Sequence, residues 1–105
     1  MLHIDESFLD QTVRLSVGQV IELRLKENPT TGFRWGFAAD DRPSCLVISE
    51  GFQRHKGPPG AGGEHAWQIK AVHAGACNLE LLYRRPYDLD EPPARTFALD
   101  VQVTG

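Results

Sequence analysis

Four histidines and two cysteines are the side chains of this chain that could ligate a metal or carry proton transfer. The histidines are His3, His55, His65 and His73. Their spacing gives no ligand pair of the kind that builds a zinc site, and no nucleophile–histidine–carboxylate set is apparent. They read as surface histidines. Cys45 and Cys77 are too far apart in sequence for a paired zinc motif. Cys45 as a nucleophile would need a nearby base and a lowered pKa, and the sequence offers neither. The plainer reading is two reduced, partly buried thiols. No metal, cofactor or catalytic residue is expected, and the chain does not read as an enzyme.

The residues that stand out instead suit recognition. Asn28-Pro29-Thr30-Thr31-Gly32-Phe33 joins two strand-like segments. Pro29 fixes one backbone torsion, and Thr30 and Thr31 are stiff at their first side-chain torsion. Gly32 permits a positive φ or a close backbone approach. A stiff loop without reactive groups fits pressing into another protein better than transforming a substrate.

The elements that must hold this loop are strands. Val13, Leu15 and Val17 fall on one face of their segment, and so do Ile21, Leu23 and Leu25 in the next. Phe33, Trp35 and Phe37 repeat the alternation, and so do Trp67, Ile69 and Ala71. Cys77, Leu79, Leu81 and Tyr83 continue it, and Phe97, Leu99, Val101 and Val103 close it. Period-two patterning bounded by glycine and proline predicts antiparallel strands at about 11–17, 19–27, 33–38, 45–54, 64–72, 77–84 and 94–103. Trp35, Trp67 and Phe33 are expected in the core, with Tyr83 buried and its hydroxyl satisfied. No convincing helix appears; 38–44 holds at most one turn. Many short strands with regular turns indicate an all-β sandwich of about seven or eight strands.

If each connection reverses the chain, the loops 28–32, 55–63 and 85–93 share one end. The loops at the other end, Gly18 and His73 to Ala76, are short and plain. An immunoglobulin-like sandwich presents binding loops in this way.

The length of 105 residues fits a single domain spanning 1–105, large enough to bury a core. A hydrophobic fraction of 41% with 24% charged residues excludes a disordered or membrane-embedded chain. The net charge of −3 and pI near 5.7 argue against a nucleic-acid partner, because no basic field exists to displace phosphate counterions. No transmembrane run and no clear signal peptide are visible. As written the chain reads as cytoplasmic; with an export signal removed it would read as periplasmic or secreted. No membrane contact is expected, and a monomer is.

Three stretches together resemble the chagasin family, protein inhibitors of papain-like cysteine peptidases. The family's N-P-T-T-G-[FY] motif is matched by Asn28, Pro29, Thr30, Thr31, Gly32 and Phe33. Its G-x-G-G motif is matched by Gly60, Ala61, Gly62 and Gly63, and its R-P-W motif by Arg85, Pro86 and Tyr87. Tyr87 stands where the family usually carries Trp, so the ring there offers less area than an indole. Asp88, Asp90 and Glu91 beside it add an acidic flank that can select a partner by charge.

The resemblance implies an immunoglobulin-like sandwich that inhibits cathepsin-L-like enzymes reversibly and tightly. The first loop would enter the active-site cleft with Thr31 nearest the catalytic cysteine. The glycine-rich loop would lie along one side and Arg85-Pro86-Tyr87 would clasp the other. Two rivals stand beside this reading. One is an adhesion or ligand-binding module on the same scaffold, since a fold does not fix a function. The other is a small hydrolase using Cys45 or Thr31.

Overall fold

A computed structural model describes residues 1–38, 43–54, 57, 62–88 and 90–105. Among the described residues eight strands follow in chain order: β1 (Leu2–Ile4), β2 (Thr12–Ser16), β3 (Val20–Glu27), β4 (Arg34–Phe37), β5 (Cys45–Arg54), β6 (Gly63–Ala71), β7 (Gly75–Arg84) and β8 (Arg95–Thr104). Helical structure among the described residues is limited to 3-10 turns at Glu6–Phe8 and Pro29–Thr31.

The strands form two four-stranded sheets, ordered β1-β3-β6-β5 and β2-β8-β7-β4. Their inner faces enclose the core, so the architecture is an immunoglobulin-like β-sandwich. Alternation explains each strand's role. On β3, Ile21, Leu23 and Leu25 are fully buried while Val20, Glu22, Arg24 and Lys26 turn outward. On β6, Trp67, Ile69 and Ala71 do the same, and on β7 and β8 Leu79, Leu81, Phe97, Leu99 and Val101 meet them. Trp35 is buried as expected, and both cysteines are buried too. Phe33 differs from expectation: it precedes β4 and is only half-buried, because β4 begins at Arg34.

β1 lies outside the strands that the alternation predicts. Three residues are too few to show alternation, and its identity comes from pairing parallel to β3, where Ile4 lies opposite Leu23 and is buried. β2 is likewise parallel, to β8. The remaining pairings are antiparallel.

Register fixes the end that matters. Gly63 at the start of β6 pairs with Glu27, the last residue of β3, and with Arg54, the last of β5. Arg34 at the start of β4 pairs with Arg84, the last of β7. The loops 28–33, 55–62 and 85–94 therefore leave the sandwich at one end. The possible turn at 38–44 lies partly outside the described residues.

Candidate functional site

The first loop is built by its own side chains. Asn28 caps a single 3-10 turn: its Oδ1 accepts from the Thr30 amide at 3.2 Å and from the Thr30 hydroxyl at 2.6 Å. The Thr31 hydroxyl donates back to the Asn28 carbonyl at 2.7 Å. Pro29 occupies the first position of the turn, where its missing N–H costs nothing. Gly32 ends the turn at φ 83°, a left-handed conformation that disfavours any residue with a Cβ. Thr30 and Thr31 are exposed at the tip.

The loop stands on an aromatic base. The Asn28 amide donates to the Tyr83 hydroxyl at 3.0 Å, so Tyr83 is half-buried with its hydroxyl satisfied. The Tyr83 ring packs on Trp35 at 4.9 Å and on Phe33 at 5.6 Å between centroids. Trp35 Nε1 donates to the Lys26 carbonyl at 2.8 Å.

The third loop leans on the first. The Arg85 guanidinium lies over the Phe33 ring, 4.6 Å from its centroid. Its Nη1 is 3.7 Å from Glu91 Oε2, while its buried Nε has no hydrogen-bond partner among the described residues. A Cβ placed on Gly32 would lie 3.1 Å from the Tyr87 hydroxyl oxygen, so that hydroxyl crowds the first loop. The rest of Tyr87 faces solvent, with 78% of its surface exposed. Pro86 is exposed beside it.

Of the glycine-rich motif, Gly60 and Ala61 lie outside the described residues, as does His55. Gly62 lines a groove with Asn28, Pro29, Thr30 and Phe52, so the second loop borders the first. Gly63 is buried, and a Cβ there would strike the Gln53 carbonyl of β5. Its lack of a side chain is thus required by the close approach of two strands.

Two polar residues near the loops, His65 and Glu27, are buried where the sequence analysis assigns them no inward role. His65, expected at the surface, is only 7% exposed and stacks on Trp67 with centroids 4.1 Å apart. Glu27 is 2% exposed. Its Oε2 accepts from the Trp35 amide at 2.8 Å, and its Oε1 from Arg34 Nε at 3.2 Å. His65 Nδ1 lies 3.2 Å from Glu27 Oε1, and His65 Nε2 lies 2.9 Å from Glu50 Oε2. The signal was in the alternation. Counting by twos along β3 from Ile21 reaches Glu27, and counting back along β6 from Ala71 reaches His65. A polar residue at an inward position is informative where an apolar one is routine.

Among the described residues no group of three His, Cys, Asp or Glu side chains could hold a metal. The carboxylates of Glu27 and Glu50 face opposite nitrogens of the His65 ring and do not converge on one point. No helix of the described residues is long and apolar enough to cross a membrane.

The β-sandwich thus gathers at one end a loop braced by its own hydrogen bonds, a glycine-bearing loop and a loop with an exposed tyrosine. Residues 14–101 match the model of the chagasin family peptidase inhibitor I42, and the chain belongs to that family. Its members are inhibitors of peptidases and not enzymes. Amoebiasin-1 of Entamoeba histolytica is 32% identical over 104 residues, covering 97% of this chain and 99% of the relative. The cysteine protease inhibitor EhICP2 of the same organism superposes with a TM-score of 0.84 at 20% identity, over 98% of this chain and 94% of that one. PbICP-C, solved in complex with falcipain-2, superposes with a TM-score of 0.65 at 19% identity, over 97% and 89%.

Proposed function

We propose that this chain is a reversible, tight-binding inhibitor of papain-family, cathepsin-L-like cysteine peptidases that acts by filling the active-site cleft. One observation carries the reading: three motif-bearing loops leave the same end of the sandwich, and the first is held rigid by its own hydrogen bonds. A loop already in its bound shape loses little entropy on docking, so more of its contact energy appears as affinity. Thr31 at the exposed tip approaches the catalytic cysteine. Its hydroxyl is already engaged with Asn28, so it contributes shape and not chemistry. Asn28, Pro29, Thr30, Gly32 and Phe33 shape and support that tip. Gly60, Ala61, Gly62 and Gly63 let backbone approach one wall of the cleft, and Arg85, Pro86 and Tyr87 hold the other. Residues 1–105 act as one inhibitor domain, and a monomer suffices because every loop comes from one chain.

The experiment is a titration of papain and a cathepsin-L-like peptidase with the wild-type chain and Thr31→Trp. Inhibition competitive with substrate, with intact inhibitor recovered from the complex, is expected. The bulky replacement should raise the inhibition constant at least about fivefold while the fold survives, since overpacking a tight contact costs about 1–3 kcal/mol. Inhibition that saturating substrate leaves unchanged would refute occlusion. Unchanged constants for Thr31→Trp would remove Thr31 from the centre of the interface.

A further inference from the structure

Glu27 is an anomaly of the fold. The inward positions before it on β3 are Ile21, Leu23 and Leu25, all fully buried. A carboxylate at the next inward position is expensive to desolvate, and an apolar residue there would pack without that cost. The acceptor atoms of Glu27 lead to the far side of the first loop. Glu27 is the residue immediately before Asn28; Arg34 and Trp35 come immediately after Phe33. One carboxylate therefore accepts from the Trp35 amide at 2.8 Å and from Arg34 Nε at 3.2 Å, across the mouth of the loop. The bond from Trp35 Nε1 to the Lys26 carbonyl ties the same two feet a second time.

We infer that Glu27 is the positioning residue of the inhibitory loop, closing it at both ends, and that His65 and Glu50 hold the Glu27 carboxylate in place from behind. The inference rests on the inhibitor reading given above. The three residues come from three strands, β3, β6 and β5. A register shift in β5 between Val47 and Ser49 brings Glu50 opposite Trp67, on the side of the sheet that His65 also faces. Without that irregularity the strand's alternation would turn Glu50 to the outer face. The His65 ring is fixed by its stack on Trp67, and each ring nitrogen faces one carboxylate. The bland alternative is a buried polar cluster that only stabilises the fold. Against it, β4 is already paired along its length with β7, so the sandwich does not need Glu27 to retain that strand. What Glu27 adds is the separation of the loop's two feet.

The test compares wild type, Glu27→Gln and Glu27→Met in one assay against papain, well below each melting temperature. Amide hydrogen exchange is followed at Trp35, Thr31 and Gly32. Gln keeps an oxygen for the Trp35 amide; Met has similar length and no acceptor. Glu27→Gln should inhibit within about threefold of wild type. Glu27→Met should be weaker by about tenfold or more, chiefly through faster dissociation. In that variant the loop amides should exchange faster while β7 and β8 amides keep their protection. A purely structural role would lower the melting temperature and leave the inhibition constant of the folded molecules unchanged, and that result would overturn the inference. If Glu27→Met does not fold, the wild-type Trp35 amide decides. Slow exchange supports the clamp, and exchange as fast as an open-loop amide overturns it. Wild type that fails to inhibit would refute the inhibitor reading, while the exchange data would still judge the clamp by itself.

Discussion

At the scale of single residues, the first and third loops meet at Gly32 and Tyr87. Gly32 carries two constraints at once: a φ of 83°, and a Tyr87 hydroxyl oxygen 3.1 Å from where a Cβ would stand. Gly32→Ala is expected to cost about 1–2 kcal/mol from backbone conformation alone, with a further displacement of the Tyr87 ring. Thermal melts should register the first effect, and a raised inhibition constant the second. Tyr87 is the opposite case. Its side chain is mostly in solvent, so Tyr87→Ala should change stability by no more than about 0.5 kcal/mol. Its dissociation rate from a peptidase should nevertheless rise, as interface truncations usually act there. Tyr87→Trp adds ring area and should slow dissociation, with a gain of about 1 kcal/mol if the ring finds an aromatic partner. If alanine leaves the rate unchanged, the third loop does not clasp.

At the scale of elements, the outer face of the β1-β3-β6-β5 sheet is laced by charge. The Arg24 guanidinium bonds the Glu22 carboxylate, lies 3.6 Å from Glu64 and donates to Gln53 at 3.1 Å, so β3, β6 and β5 share one cation. His3 of β1 sits 3.3 Å from Glu22. The hydrogen bond from Arg24, then its charge, hold the Glu22 carboxyl below its ordinary value of 4.5 against the opposing effect of burial. A carboxyl depressed in the folded state adds stability that is fully present above 4.5 and is lost as pH falls through the folded pKa. Asp5, lowered by hydrogen bonds from the Ser7 hydroxyl and amide, acts in the same direction. Melting temperature should therefore fall below pH 4.5, and Arg24→Gln should make that acid limb shallower. The difference should be about 0.2–1 kcal/mol, the range for partly exposed pairs. An unchanged acid limb in Arg24→Gln would show that the pair contributes nothing.

At the scale of the whole molecule, the pairings join distant parts of the chain: β2 with β8, β4 with β7, and β1 and β6 with β3. Non-local pairing must meet its loop-closure entropy before contacts reward it. Refolding after a denaturant jump should therefore take milliseconds to seconds, as for other β-sandwiches, and a dominant microsecond phase would contradict the dependence on distant pairing. The sequence by itself determined the strand segments, the sandwich class and the order of the three loops. Alternation of apolar side chains and the glycine and proline breaks are local properties, readable without knowing which strand lies beside which. Tertiary structure alone decided that Leu2–Ile4 is a strand, that Phe33 is half-buried under Arg85, and that His65 is enclosed by Trp67 and two carboxylates. Each of these depends on a partner far away in sequence. Glu27 falls between the two cases. Its inward direction follows from counting along β3, but its task became visible only when the fold brought the Trp35 amide to its carboxylate, because a hydrogen bond across a loop is set by three-dimensional closure and leaves no period in the chain.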